Sequence, residues 1–301
     1  MTDFITGLEQ MMAANGIHID GKINSSSMRW QRFRGANYAT KGKDLFVKIQ
    51  GNCDGATFGD WHDQSTWQTW WFRSWKDLTP AERRERDELK REMEQQELQE
   101  RFHARRNAEQ QWANAGEVNL QHPYLVKKCI AKAPYIKQIE NKLALPLHDE
   151  EGVLQSIQYI TERGFKFYEP GTSFKENFIY LGEKISEEYE GAIRICEGWA
   201  TGATIHDVMG DVVVCATSAS NIPVVASIFR NKHRKSMLKI CADNDSVGQQ
   251  YAIDATFMTG STLYCPDFKS MDTTTNPSDF NDLFCLAGTE EVRKQLIKIR
   301  K

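Results

Sequence analysis

Ala192-Ile193-Arg194-Ile195-Cys196-Glu197-Gly198 is a short apolar run that stops at a carboxylate, and Met237-Leu238-Lys239-Ile240-Cys241-Ala242-Asp243-Asn244-Asp245 repeats the pattern. An amphipathic stretch from Thr201 to Met209 follows the first run, giving strand, turn and helix. A second run, Val212 to Ala216, leads through Thr217, Ser218, Ala219 and Ser220 into a helical pattern from Ile222 to Phe229. The run ending at Asp243 opens into a helix from Val247 to about Met258, and Ser261 to Cys265 supplies a fourth strand. Strands alternating with helices predict parallel βαβ units, whose right-handed crossovers leave every strand's C-terminal end on one edge of the sheet. Glu197, Asp243 and Asp245 are expected to converge there.

Carboxylates gathered on one edge repel, and burial without a cation would drive one or more of them to protonate. A divalent cation removes the conflict. Hard oxygen ligands suit Mg²⁺ or Mn²⁺, which keep several waters and are shared with substrate phosphates. The plainer alternative is that carboxylates at strand ends only cap helices, Asp245 serving as N-cap before Val247. A Glu and an Asp-x-Asp on separate strands favour the metal.

Cys196-Glu197-Gly198-Trp199-Ala200-Thr201-Gly202, followed by Ala242-Asp243-Asn244-Asp245 and Gly248, resembles the TOPRIM domain of phage and plasmid primases. Asp279-Phe280-Asn281-Asp282-Leu283 is similar to an element that follows the fourth strand in the same proteins. The resemblance extends upstream through His122-Pro123-Tyr124-Leu125, Leu145-Pro146-Leu147, Asp149 to Gly152, Leu154 to Ile160 and Gly164-Phe165-Lys166-Phe167. The TOPRIM carboxylates alone are shared with topoisomerases, recombination mediators and some nucleases, whereas the upstream blocks narrow the match to primases. The resemblance implies a C-terminal TOPRIM domain with a parallel four-stranded sheet flanked by helices. It implies Asp243 and Asp245 as catalytic metal ligands and Glu197 as a catalytic metal ligand or general base; Asp279 and Asp282 would complete the cation shell, with Asp282 slightly preferred because Asp279 equally suits a cap on the helix around Phe280 to Leu286. Lys166 is the residue it carries over as a partner for triphosphate or template phosphate, with Lys175, Lys127 and Lys128 behind it.

Length and charge fit a protein of two parts. The chain has 301 residues and a net charge of -3, which excludes a uniformly basic coat and leaves a local patch as the only route to nucleic acid. Its seven cysteines, at 53, 129, 196, 215, 241, 265 and 285, form no C-x-x-C pair, so no zinc site is legible. Four of them fall in proposed strands as small apolar residues, which suits a reducing cytoplasm. No secretory signal and no apolar run of membrane-spanning length is present, so no membrane partner is expected.

Residues 1–78 hold six of the eight tryptophans and read as a folded, aromatic-rich α+β module. Arg29, Trp30, Arg32, Phe33, Arg34, Tyr38, Lys41, Lys43, Phe46 and Lys48 interleave cations and rings, with Asp44 the only acid among them. Such a surface suits a single-stranded template, by phosphate neutralisation and base stacking. It equally suits an antiparallel sheet with aromatics in the core and cations on its solvated face. Ala56 to Trp61 resembles an element that follows a zinc module in phage and plasmid primases; the cysteines of that module are missing here.

Residues 79–111 carry nine acids, eight Lys or Arg and no glycine. Thr79, Pro80 and Glu82 are N-cap, N1 and N3 of a helix running to about Trp112, roughly 50 Å long. Its apolar positions are too sparse for a heptad seam, so 79–116 reads as a solvated connecting helix, with Arg101, Arg105 and Arg106 as secondary candidates for DNA. Residues 117–185 read as a primase-like α/β subdomain and 186–301 as the TOPRIM domain with a C-terminal amphipathic helix. Lys232 to Lys235 fall at the sheet's opposite end and read as a solvated loop.

The expected activity is metal-dependent synthesis of short RNA primers from nucleoside triphosphates on single-stranded DNA. With no G-x-x-x-x-G-K-[ST] loop in the chain, a separate helicase partner is expected. The alternatives are a non-catalytic single-strand-binding replication accessory and, behind it, a TOPRIM nuclease.

Overall fold

The computed structural model describes residues 2–27, 30–35, 44–50, 54–60, 66–73, 75–269 and 271–297. It divides into two compact units, Met1–Leu98 and Gln99–Lys301. Arg29, Tyr38, Lys41, Lys43, Cys53 and Trp61 lie outside the described residues.

In the first unit a helix, α1 (Thr2–Ala14), covers an antiparallel meander of β1 (Ile19–Asp20), β2 (Gln31–Gly35), β3 (Leu45–Gln50), β4 (Gly55–Asp60) and β5 (Gln68–Trp71). Phe4, Leu8 and Met12 recur at the i, i+4 spacing that puts them on one helix face. They meet Phe33, Leu45, Val47, Ile49, Ala56 and Phe58 from one side of the sheet. Each large buried side chain contributes about 1.5–3 kcal/mol. Strand alternation sends Arg32 and its register partner Phe46 to the other side. There Phe46 meets Trp30 and Trp67 at ring separations of 5.0 and 4.8 Å, and the Lys48 ammonium lies 5.2 Å from the Trp30 ring.

The long helix α2 (Pro80–Asn114) crosses the border between units. Its start is a capping box. Thr79 N–H donates to Glu82 at 2.8 Å, Glu82 N–H returns to the Thr79 hydroxyl at 3.3 Å, and these bonds with Arg73 hold the Glu82 carboxyl down at about 2. The expectation of a solvated connector needs correction at the far end: Ala108 is fully buried with Ala144, Ile157 and Tyr159, and Trp112 packs beside them.

In the second unit, α3 (Pro123–Lys127) precedes an antiparallel sheet of β6 (Lys137–Ile139), β7 (Lys142–His148), β8 (Leu154–Thr161) and β9 (Lys166–Tyr168). A second sheet has the order β10 (Ile179–Leu181), β12 (Val212–Cys215), β11 (Ala192–Cys196), β13 (Met237–Cys241), β14 (Thr262–Tyr264). The last four are parallel, and β10 joins β12 antiparallel. The sheet therefore has five strands where four were expected, and it reaches past the expected border at residue 186. A three-residue strand is too short to show a period, which is why β10 escapes sequence reading.

Two apolar layers flank this sheet. Cys196, Cys215 and Cys241 look toward α4 (Trp199–Met209) and α7 (Phe280–Ile297); Ile193, Ile195, Val214 and Ile240 look toward α5 (Ile222–Lys232) and α6 (Ser246–Thr259). A Cβ on Gly202 would overlap the Cys215 sulfur and come 3.2 Å from that of Cys196, so glycine lets α4 lie directly on the strands. The C-terminal amphipathic segment buries Val292 and Leu296 on its own unit, beyond a break at Gly288 with φ +77°. Arg194, buried within β11, is held by Asp211 at 2.6 Å. No helix among the described residues is long and apolar enough to cross a membrane.

Candidate active site

Glu197 is the first residue past β11, at the edge where the parallel strands end. Its carbonyl accepts the Thr217 N–H at 2.8 Å, one step beyond the bond from Ala216 N–H to the Cys196 carbonyl at 2.9 Å, so the β11–β12 ladder runs on into the site. Asp243 stands two residues past β13, and its Oδ1 is buried with no hydrogen-bond partner. Burial, with the charges of Glu197, Asp279 and Asp245 behind it, pushes the Asp243 carboxyl up to about 8; Lys166 opposes the rise. Glu197 is pushed up as well, chiefly by burial, against Lys166 and with Asp245 and Asp279. An acid edge short of positive charge is the pattern in which a carboxylate gives up its ionisation.

Asp245 is the N-cap of α6, where its Oδ1 accepts the Gly248 N–H at 2.7 Å, so the capping alternative describes its resting state. Lys166 on β9 brings its ammonium within 3.5 Å of the point a Cβ on Gly198 would occupy. Lys175 behaves differently. It lines a cleft of about 600 Å³ with Arg101 and Arg105, and its charge does not figure in the shifts of Glu197 or Asp243.

The segment before α7 is drawn in by the bond from Asn244 N–H to the Ser278 carbonyl at 2.6 Å. Asp279 Oδ1 accepts the Asp282 N–H at 2.8 Å, while its charge raises both Glu197 and Asp243. Asp282 is engaged elsewhere, with Lys128 at 2.9 Å and the Ser278 N–H at 3.0 Å. Burial works to raise its carboxyl, but those bonds outweigh it and leave it below the ordinary range. Of the two, Asp279 is the one whose charge reaches Glu197 and Asp243. Lys128, which sequence ranked behind Lys166, lies 3.7 Å from Asp279 as well. The only sequence signal for this pairing is a lysine just after a short helix.

Chemically the donors fit a hard divalent cation: Asp243 offers an oxygen with no other partner, and Glu197 is depressed in acidity beside it. They are not a finished chelate. Among the described residues no three His, Cys, Asp or Glu side chains stand close enough to hold an ion as placed. Asp245 and Asp279 each spend one carboxylate oxygen on a backbone N–H and keep the other.

Residues 192–290 match the family model described as Toprim domain, which defines the class of this region. Two Escherichia coli proteins named DNA primase TraC are similar to the chain. One is 29% identical over 104 residues, covering 35% of this chain and 10% of the relative; the other is 30% identical over 125 residues, covering 41% and 9%. The resemblance to TOPRIM DNA primases is thereby shown, and the matched part spans about a tenth of those relatives' length. Among solved structures, the primase fragment of the bacteriophage T7 primase-helicase aligns with a TM-score of 0.44 at 13% identity, over 62% of this chain and 77% of that one. The RNA polymerase domain of Mycobacterium tuberculosis primase DnaG aligns with a TM-score of 0.39 at 14% identity, over 54% and 56%.

Proposed function

We propose that the chain is a DNA-templated primase that joins nucleoside triphosphates into short RNA primers on single-stranded DNA, in a phage or plasmid-type replication system. The observation that carries this is the buried, partnerless Oδ1 of Asp243 on an edge shared with Glu197 and faced by Lys166. Mg²⁺ or Mn²⁺, when bound, would neutralise charge developing on the reacting α-phosphate and lower the pKa of the attacking 3′-hydroxyl.

Asp243 and Glu197 are the ligands, with Asp245 and Asp279 within reach of the same charge. Lys166 holds a triphosphate or template phosphate at the mouth of the edge. Lys128 balances Asp279 and Asp282 and so restrains the loop before α7. Template contacts are assigned to the Trp30, Arg32 and Arg34 face of the first unit. Lys175 with Arg101 and Arg105 form a further patch. Strand separation is left to a helicase partner, and the protein works in the cytoplasm.

The decisive experiment incubates the protein with single-stranded DNA, ribonucleotides and Mg²⁺ or Mn²⁺. Oligoribonucleotides that vanish with Asp243→Ala and Glu197→Gln are expected; no product across templates and metals would overturn the proposal. One observation favours a second possibility. The carboxylates stand apart rather than as a ready chelate, as they would in a non-catalytic accessory that binds single strands on a TOPRIM scaffold. In that case both substitutions would leave DNA binding intact and no product would form in any of the three proteins.

A further inference from the structure

We infer that Tyr168 is a positioning residue for the carboxylate edge, holding Thr217 in a left-handed backbone conformation that fixes Glu197 and, along the same strand, placing Lys166. This rests on the metal-site reading of that edge. The Tyr168 hydroxyl lies 3.2 Å from the Thr217 carbonyl oxygen and 3.1 Å from its Oγ1. A phenol has one proton and lone pairs to spare, so it can donate to one of these oxygens while accepting from the threonine hydroxyl. Its ring is held as well, stacked on Phe174 at 5.2 Å with 21° between planes.

Thr217 has φ +65°. For a β-branched residue that conformation is an outlier, and it persists only where the surroundings hold it. Here it turns the chain out of β12 while its N–H stays on the Glu197 carbonyl at 2.8 Å. Released, the peptide would relax to negative φ and the bond to Glu197 would be lost. On β9, Tyr168 and Lys166 are two residues apart and so share a face. The tie that restrains Thr217 therefore also sets how far the Lys166 ammonium stands from Glu197 and Asp243. A tyrosine that merely satisfied its hydroxyl would need neither the strained acceptor nor this register.

The test compares four forms of the full chain: wild type, Tyr168→Phe, Thr217→Gly and the double variant. Mn²⁺ affinity, primer synthesis and the exchange rate of the residue 217 amide proton are measured on each. Glycine adopts positive φ without steric cost. Tyr168→Phe should weaken Mn²⁺ binding and lower kcat about tenfold, the scale of an outer-shell loss, and raise KM for nucleotide as Lys166 loses its setting. It should also speed exchange of the Thr217 amide. Thr217→Gly should bind as wild type, and adding it to Tyr168→Phe should recover most of the lost affinity. Unchanged Mn²⁺ affinity and amide exchange in Tyr168→Phe, or a double variant no better than Tyr168→Phe, would overturn the inference. Should Tyr168→Phe not fold, loss of Thr217 amide protection on raising temperature in Thr217→Ala, which keeps the strain and loses the Oγ1 contact, decides it; full protection counts against. A wild type that binds Mn²⁺ but makes no primers sinks the primase proposal alone, since the Mn²⁺ and exchange comparisons still judge Tyr168.

Discussion

Asp243 holds its proton at neutral pH, because burial and three neighbouring carboxylates push its carboxyl up to about 8 with only Lys166 opposing. A cation can bind there only by displacing that proton. Mn²⁺ affinity should therefore rise about tenfold per pH unit up to about pH 8 and level off above it, as calorimetric titration from pH 6 to 9 would record. The sign for stability is opposite. An unfolded aspartate ionises near 3.9, so between about pH 4 and 8 the folded state binds more protons than the unfolded. The metal-free protein loses this contribution progressively as pH rises through that window. Asp243→Asn removes the penalty: without metal, the variant should unfold at a higher temperature than wild type at pH 8.5 and at a similar one near pH 4. The same substitution should weaken Mn²⁺ binding by at least about 100-fold, since a ligand matters more than its supporting shell. A variant less stable than wild type at high pH would show that Asp243 is already neutralised by a partner.

At the scale of elements, α4 rests on the strands through Gly202, and an added Cβ there collides with Cys215. Gly202→Ala gains about 1 kcal/mol of helix propensity but overpacks a rigid strand surface, which costs about 1–3 kcal/mol. Net destabilisation is expected by denaturant titration, with recovery when Cys215→Ala makes room. The glycine of the ATG triplet is thus explained by packing as much as by chemistry. The parallel strands were legible because each apolar run stops at a turn-forming or charged residue, as at Glu197 and Asp243. What escaped depends on distant pairing. Ile179 to Leu181 carry too few residues to show alternation, and the burial of α2 at Ala108 needs the β7–β8 surface that no local pattern reveals. In the site, residue types were readable and partners were not. Asp279 and Asp282 look equivalent in sequence until Lys128, some 150 positions upstream, takes its shorter bond to Asp282 and Asp279 loads Glu197 and Asp243 with charge. Tyr168 and Thr217 gave no signal because backbone strain is written in tertiary contacts.

For the whole molecule, 38 basic against 41 acidic residues leave no general attraction for DNA, so the proposed binding of a single strand would have to come from a few placed groups. The first unit offers exposed Arg32 and Arg34, with Lys48 poised by the Trp30 ring and the α1 core closing the opposite face. Ionic and stacking contributions separate by salt. Each cation on a phosphate of a single strand adds about -0.7 to the slope of log affinity against log salt, so three give about -2. Base stacking on a tryptophan contributes about 1–3 kcal/mol and releases no counterion. Trp30→Ala should therefore lower affinity for an unstructured oligonucleotide by roughly 5- to 150-fold with its salt slope unchanged. Arg32→Ala and Arg34→Ala should each flatten the slope by about 0.7 with a smaller loss at high salt. Fluorescence anisotropy across a salt series reads both. If Trp30→Ala binds as wild type while Arg105→Ala or Lys175→Ala flattens the slope, the template is held by the second unit and the tryptophan face has another use.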